Sequence, residues 1–205
     1  MSIRSMAREL VKRSLRIEEY KPVRLSTPAR MLEADSAWKG LELIIEDILD
    51  RYHIGRSRCI EFGVEFGYSA VVFSNFFSEV TGVDTFVGDD HTLHKSDHYA
   101  ATRERLARYP NIRLVRADYR DFIRNEHGRF DFAHVDIVHN FRETYECGLW
   151  AASHADAVIF HDTESFPGVR RAVVKIAKKT GGMLFNYPYH SGLGIIISQR
   201  PGRSE

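Results

Sequence analysis

From residue 58 onward, short apolar runs alternate with stretches whose apolar positions recur at helical spacing. The runs at 58–62, 80–84, 112–116, 130–136, 157–161, 183–186 and 194–198 read as strands. Between the first six lie helical patterns at 68–77, 99–109, 119–125, 141–152 and 168–179. Strands separated by helices of this length predict a parallel sheet with right-handed crossovers. The last two runs are joined only by Tyr187, Pro188, Tyr189, His190 and their neighbours, which predicts an antiparallel hairpin at the sheet edge. The expected fold class is therefore α/β, a doubly wound, mostly parallel seven-stranded sheet with an antiparallel last strand and N-terminal helices.

Ahead of the sheet, Ala37, Leu41, Ile44, Ile45, Ile48 and Leu49 predict a helix over 36–52, with Ser36 as N-cap. Ile3, Met6, Ala7, Leu10, Val11, Leu15 and Ile17 predict an amphipathic helix at the start of the chain. The segment 20–30, with Pro22 and Pro28, reads as an irregular connector. The expected organisation is an N-terminal arm over 1–35 and one catalytic domain over 36–200.

Composition narrows the classes. With 205 residues, 43% hydrophobic and 28% charged, the chain has enough apolar material for one core without disulfide or metal staples. No apolar run approaches the length of a membrane helix, and the opening residues lack a secretory apolar stretch, so a cytoplasmic protein is expected. Cys59 and Cys147 lack paired spacing and are expected to be buried, reduced thiols. The net charge of +1 hides an asymmetry: the first 30 residues carry eight Lys/Arg against three acids, leaving the other 175 at −4. An acidic body argues against a nucleic-acid binder, although the basic arm alone could touch phosphates. The arm helix is expected to pack on the body or on a second copy, giving a homo-oligomer, rather than on a membrane.

In an open α/β sheet, ligands bind beyond the carboxyl ends of the strands. Gly63 ends the first strand, and Gly67 and Ser69 open the helix after it, where free amides and a hydroxyl form an anion site. The Gly-x-x-x-Gly spacing favours a carboxylate over a dinucleotide pyrophosphate. Asp84 at the second tip suits ribose hydroxyls, or else caps a loop. Asp118, beside Tyr119 at the third tip, suits an exocyclic amine of adenine, or else caps the helix. Asp136 and Asp162 end neighbouring strands, and two such carboxylates repel unless a hard divalent cation or an arginine joins them. His139 could then take a proton from a metal-activated hydroxyl. His161 reads as a structural histidine. His91, His94 and His98 lie on the 85–98 segment, a solvated lid more than a metal site, and Tyr187, Tyr189 and His190 are candidate acceptor contacts.

Together these residues resemble a class I S-adenosylmethionine-dependent O-methyltransferase, nearest the metal-dependent catechol and sugar enzymes that act on small molecules. The likeness spans about residues 36–198 and rests on Ile60-Glu-Phe-Gly-Val-Glu-Phe-Gly-Tyr-Ser-Ala-Val71, on Asp136-x-x-His139 with Phe141, and on His161-Asp-Thr163 with Pro167-Gly-Val169. It implies a Rossmann-like methyltransferase fold. It implies that Glu61, Gly63 and Gly67 line the methionine end of S-adenosylmethionine and that Ser69 touches its carboxylate. Asp84 would bind ribose, and Asp118 and Tyr119 would flank adenine. Asp136 and Asp162, with Thr163, would hold Mg²⁺ or a similar ion. His139 would be the catalytic histidine, working with Asp136 on a small-molecule hydroxyl. Thr163 stands where catechol enzymes have Asn, Cys147 where sugar-type relatives often have an acid, and Ile137 where many relatives have Gly. These departures leave a non-catalytic S-adenosylmethionine-binding protein as one alternative, and the basic arm leaves an RNA methyltransferase as another.

Overall fold

A computed structural model describes residues 17–88 and 95–199. The expected arm helix lies outside them but for Ile17, as do His91 and His94. The strands are β1 (Glu18–Glu19), β2 (Arg58–Phe62), β3 (Glu79–Asp84), β4 (Ile112–Arg116), β5 (Phe130–Val135), β6 (Ala155–His161), β7 (Met183–Tyr187) and β8 (Leu193–Ile197). The helices are α1 (Glu42–Arg51), α2 (Tyr68–Phe73), α3 (Tyr99–Leu106), α4 (Tyr119–Asn125), α5 (Phe141–His154) and α6 (Pro167–Thr180). They form one sheet in the order β1-β7-β8-β6-β5-β2-β3-β4, parallel except for β8. All seven expected strands are present, and the two residues of β1 add an eighth at the β7 edge.

The strand side chains alternate between two cores, as the pleat requires. Cys59, Phe132, Ala157 and Ile159 face α1 and α2, whose Ile44, Ile45, Ile48, Val71 and Phe73 complete one apolar layer. Ile60, Phe62, Ala133, Val135, Val158 and Phe160 face the other way, onto Cys147 and Ala151 of α5 and Val169, Val173 and Ile176 of α6. The same alternation puts Glu61, His134 and His161 on the α1/α2 face, and Glu61 and His134 are register partners across β2 and β5. Both cysteines are buried free thiols whose pKa burial pushes up.

The expected helix over 36–52 forms only from Glu42. Gly40 takes φ +100°, which a helix cannot continue, and the Ser36 hydroxyl oxygen accepts the Trp38 amide in a turn instead of capping α1. Helix α2 likewise stops at Phe73, four residues short of the pattern. The described part of the arm is docked on the body. Buried Tyr20 donates its hydroxyl to Asp47 at 2.5 Å, the amides of Val23 and Arg24 donate to the other Asp47 oxygen, and Leu32 enters the α1/α2 core. Among the described residues the packed body therefore begins well before residue 36. No described helix is long and apolar enough to cross a membrane.

Candidate active site

The carboxyl ends of β2, β3, β4, β5 and β6 border a cavity of about 460 Å³. Two backbone features shape its floor. Gly63 leaves β2 at φ +89°, and a Cβ built there would sit 1.7 Å from the carbonyl oxygen of Asp136. Only glycine lets the exits of β2 and β5 approach this closely. Asp162, at the end of β6, takes φ +65°, a left-handed conformation that aspartate tolerates at some cost.

The structure brings most of the expected site residues to this cavity and gives several of them definite partners. Gly63, Ser69, Asp84, Asp118, Tyr119, Asp136, His139 and Asp162 all border it. One Asp84 oxygen accepts the amides of Val64 and Glu65, both at 2.8 Å, and the other accepts the Phe86 amide at 2.7 Å. Asp84 thus fixes the loop after β2 to the tip of β3 while facing the cavity. Asp118 does cap α4, accepting the Arg120 amide at 2.7 Å, and it pairs with the Arg120 guanidinium. The Tyr119 hydroxyl donates to Glu146 at 3.0 Å.

Four expectations need correction. Glu61 is fully buried and lies behind the cavity wall, because strand alternation turns it into the α1/α2 face. There it accepts the Ser69 hydroxyl and stands 2.9 Å from His134 Nδ1, while burial pushes its own pKa up. The Ser69 hydroxyl hydrogen is therefore spent on Glu61 and is not offered to an incoming carboxylate. Gly67, at φ +88°, is the left-handed N-cap of α2 packed on Leu106, and it does not border the cavity. Thr163 is buried with its hydroxyl donated to Asn186 at 2.5 Å, so it does not join the pair of carboxylates.

That pair meets two histidines. His139 Nε2 lies 2.8 Å from Asp162 Oδ2 and 3.3 Å from Asp136 Oδ1. His161 Nδ1 lies 3.1 Å from Asp136 Oδ2 and 3.4 Å from Asp162 Oδ2. Burial would raise the pKa of Asp136, but His161 and His139 beside it hold the carboxyl well below its usual range. Burial would lower His139, yet its hydrogen bonds to Asp136 and Asp162 push it up to about 10. His161 is raised in the same way, against burial, first by Asp136. The His139 ring stacks on Phe166, with centroids 4.4 Å apart and planes 13° from parallel.

The donor atoms suit a divalent cation. Asp136, Asp162 and His161 can each offer one ligand atom, all within 4.8 Å of one another. Among the described residues no arginine pairs with either carboxylate, and nearby Arg170 pairs with Glu164 instead.

Several site residues escape the sequence pattern. Leu32 and Ala34 border the cavity from the segment read as arm, and Trp38 from the start of the expected 36–52 helix. Their signal was only an isolated tryptophan next to a capping serine. His134 packs edge-on against Trp38, centroids 4.8 Å apart, and completes the buried Glu61 network. Strand parity could have found it, since His134, Glu61 and His161 all fall on the same alternation. His98 borders the cavity between Phe66 and Phe86, so the end of the lid segment is anchored. Tyr187, Tyr189 and His190 do not border the cavity, and the His190 ring lies against Gly40.

Comparison with known proteins gives the family and the fold. Residues 60–163 match the model of a family described as a methyltransferase domain. No curated protein matches the chain. Among solved structures, the O-methyltransferase NovP superposes with a TM-score of 0.62 at 13% identity, covering 79% of each chain. The O-methyltransferase from Bacillus cereus, in complex with S-adenosylhomocysteine, gives 0.54 at 13% identity, over 95% of this chain and 91% of that one. The O-methyltransferase TomG from Streptomyces achromogenes, involved in tomaymycin synthesis and bound to S-adenosylmethionine, gives 0.53 at 13% identity, over 75% and 77%.

Proposed function

This chain belongs to the methyltransferase-domain family, as an S-adenosylmethionine-dependent methyltransferase, and from that premise we propose that it methylates a hydroxyl of a small molecule with a divalent cation held by Asp136 and Asp162. The observation that carries the reading is the meeting of Asp136, His139 and Asp162 on the cavity that Gly63, Asp84, Asp118 and Tyr119 also border.

The sulfonium methyl of the donor is already activated, so the protein's main task is alignment. Gly63 lets the donor approach the backbone, Asp84 faces the cavity from the tip of β3, and Asp118 and Tyr119 close the β4 side. The acceptor oxygen attacks the methyl carbon in line with the carbon–sulfur bond. That bond breaks, its electron pair stays on sulfur, and S-adenosylhomocysteine leaves neutral. The hydroxyl proton has to go elsewhere, and His139 is the candidate to take it.

With its pKa near 10, His139 holds a proton at neutral pH while both carboxylates face it. A divalent cation at the carboxylates would supply positive charge that lowers the pKa of an acceptor hydroxyl and of His139 together. With that cation bound His139 would be neutral and able to accept a proton, and the flat contact with Phe166 keeps its ring plane fixed.

The test is release of S-adenosylhomocysteine over a panel of hydroxylated small molecules, with donor binding followed in parallel by calorimetry. D136N and H139A are expected to slow transfer by at least about 100-fold, the usual scale for a lost acid–base group, with donor affinity almost unchanged. Wild-type turnover in both variants refutes the assignment.

A further inference from the structure

The family-level expectation for the third metal position is the side chain after Asp162, and Thr163 is turned away from it toward Asn186. What does face the carboxylates is an imidazole. His161 is 97% buried, and its Nδ1 points at oxygens of both aspartates, at 3.1 and 3.4 Å. From this we infer that His161 is a metal ligand, and that the Asp136–His161–Asp162 site selects a first-row transition ion such as Mn²⁺, Co²⁺ or Zn²⁺ over Mg²⁺. The inference rests on the metal-assisted reading above and specifies its ion.

The spacing supports it. Two ligands at right angles around an ion with bonds of about 2.1 Å stand about 3.0 Å apart. The His161–Asp136 and His161–Asp162 separations lie near that value, and all three donor atoms fall within 4.8 Å of one another. The sequence places the ring here for a plain reason: His161 is the last residue of β6, and alternation aims it to the face shared with Glu61 and His134.

Ligand chemistry then decides the ion. Mg²⁺ keeps hard oxygen ligands and dehydrates reluctantly, so a buried imidazole nitrogen is a poor partner for it. Imidazole nitrogen suits later divalent ions, whose affinity for mixed nitrogen and oxygen sites rises from Mn²⁺ towards Zn²⁺. His139 reaches the same carboxylates but stacks on Phe166 and carries the proton-transfer role, so it is assigned as neighbour and not as ligand.

The experiment is binding of MgCl₂, MnCl₂ and CoCl₂ to the full chain by calorimetry, together with pulsed electron paramagnetic resonance of the Mn²⁺ form. Mn²⁺ and Co²⁺ are expected to bind at least about tenfold more tightly than Mg²⁺. The Mn²⁺ spectrum is expected to show coupling to a directly bound ¹⁴N nucleus, lost in H161Q and kept in H139Q. Binding of S-adenosylhomocysteine checks that each variant is folded, and the wild-type spectrum tests nitrogen ligation without any variant. Equal affinities for Mg²⁺ and Mn²⁺, no ¹⁴N coupling in the wild type, or coupling that survives H161Q each overturns the inference. No divalent binding at all also overturns it, while S-adenosylhomocysteine binding then reports separately on the methyltransferase reading.

Discussion

His139 and Asp162 meet at 2.8 Å across the gap between the β5 and β6 exits, although neither is a neighbour of the other in sequence. The contact ties a loop residue to a strand tip in left-handed conformation, and together with the Asp136 contact it pushes the His139 pKa up.

One consequence concerns pH. His139 is raised from the ordinary histidine value to about 10 in the fold, so its contribution to stability is fully present below about pH 6.5 and fades as pH rises through about 10. In chelator-treated protein without donor, the melting temperature is expected to fall between pH 7 and 10 more steeply than in H139Q. Parallel profiles for the two proteins would refute the coupling.

Gly63 and Gly181 both have positive φ, at 89° and 71°, but differ in what surrounds them. A Cβ at Gly181 meets nothing within 4 Å, whereas at Gly63 it meets the Asp136 carbonyl. G181A is expected to cost about 1 kcal/mol of unfolding free energy in a denaturant titration, the backbone term alone. G63A is expected to cost more than about 3 kcal/mol, or to abolish folding, because the β2 and β5 exits must separate.

Ser69 separates two roles. As a structural donor to buried Glu61, its removal in S69A should destabilise the fold by about 1–3 kcal/mol, the cost of an unsatisfied buried acceptor. Donor affinity should change less than about threefold. A loss of affinity beyond tenfold with unchanged stability would instead make Ser69 a direct ligand of the donor.

Asp84 accepts three backbone amides, and a neutral amide in its place keeps one acceptor and brings an unwanted donor against them. D84N is expected to weaken S-adenosylhomocysteine binding by more than tenfold and to lower stability together, since one side chain orders the loop that borders the cavity. Calorimetry and thermal unfolding on the same sample check both.

The strand–helix alternation was legible because each β run is short, apolar and bounded, and Asp84, Asp118, Asp136 and Asp162 fell at strand tips for the same reason. The chemistry of each tip was less so. Whether Asp118 caps α4 depends on the backbone turn at one residue, and whether Thr163 faces a metal depends on where Asn186 of β7 arrives. Trp38 was invisible as a cavity residue because Gly40 breaks the helical pattern that seemed to contain it. Strand parity places the His161 ring with Glu61 and His134, but that its Nδ1 meets two carboxylates depends on where the β5 and β6 exits converge.

The short β1 has a meaning for solution behaviour. An open sheet exposes an unpaired backbone ladder at each border, which other chains can extend. Here β1 and the Tyr20 amide occupy the ladder of β7 at Phe185 and Asn186, and the opposite border, β4, presents the exposed cations Arg113 and Arg116. The two borders differ: one is covered by a strand covalently continuous with the chain, and the other carries long side chains paired with Glu79 and Asp97. Trimming the chain past Tyr20 would therefore remove more than a tail: it would open the β7 flank of the sheet to strand exchange.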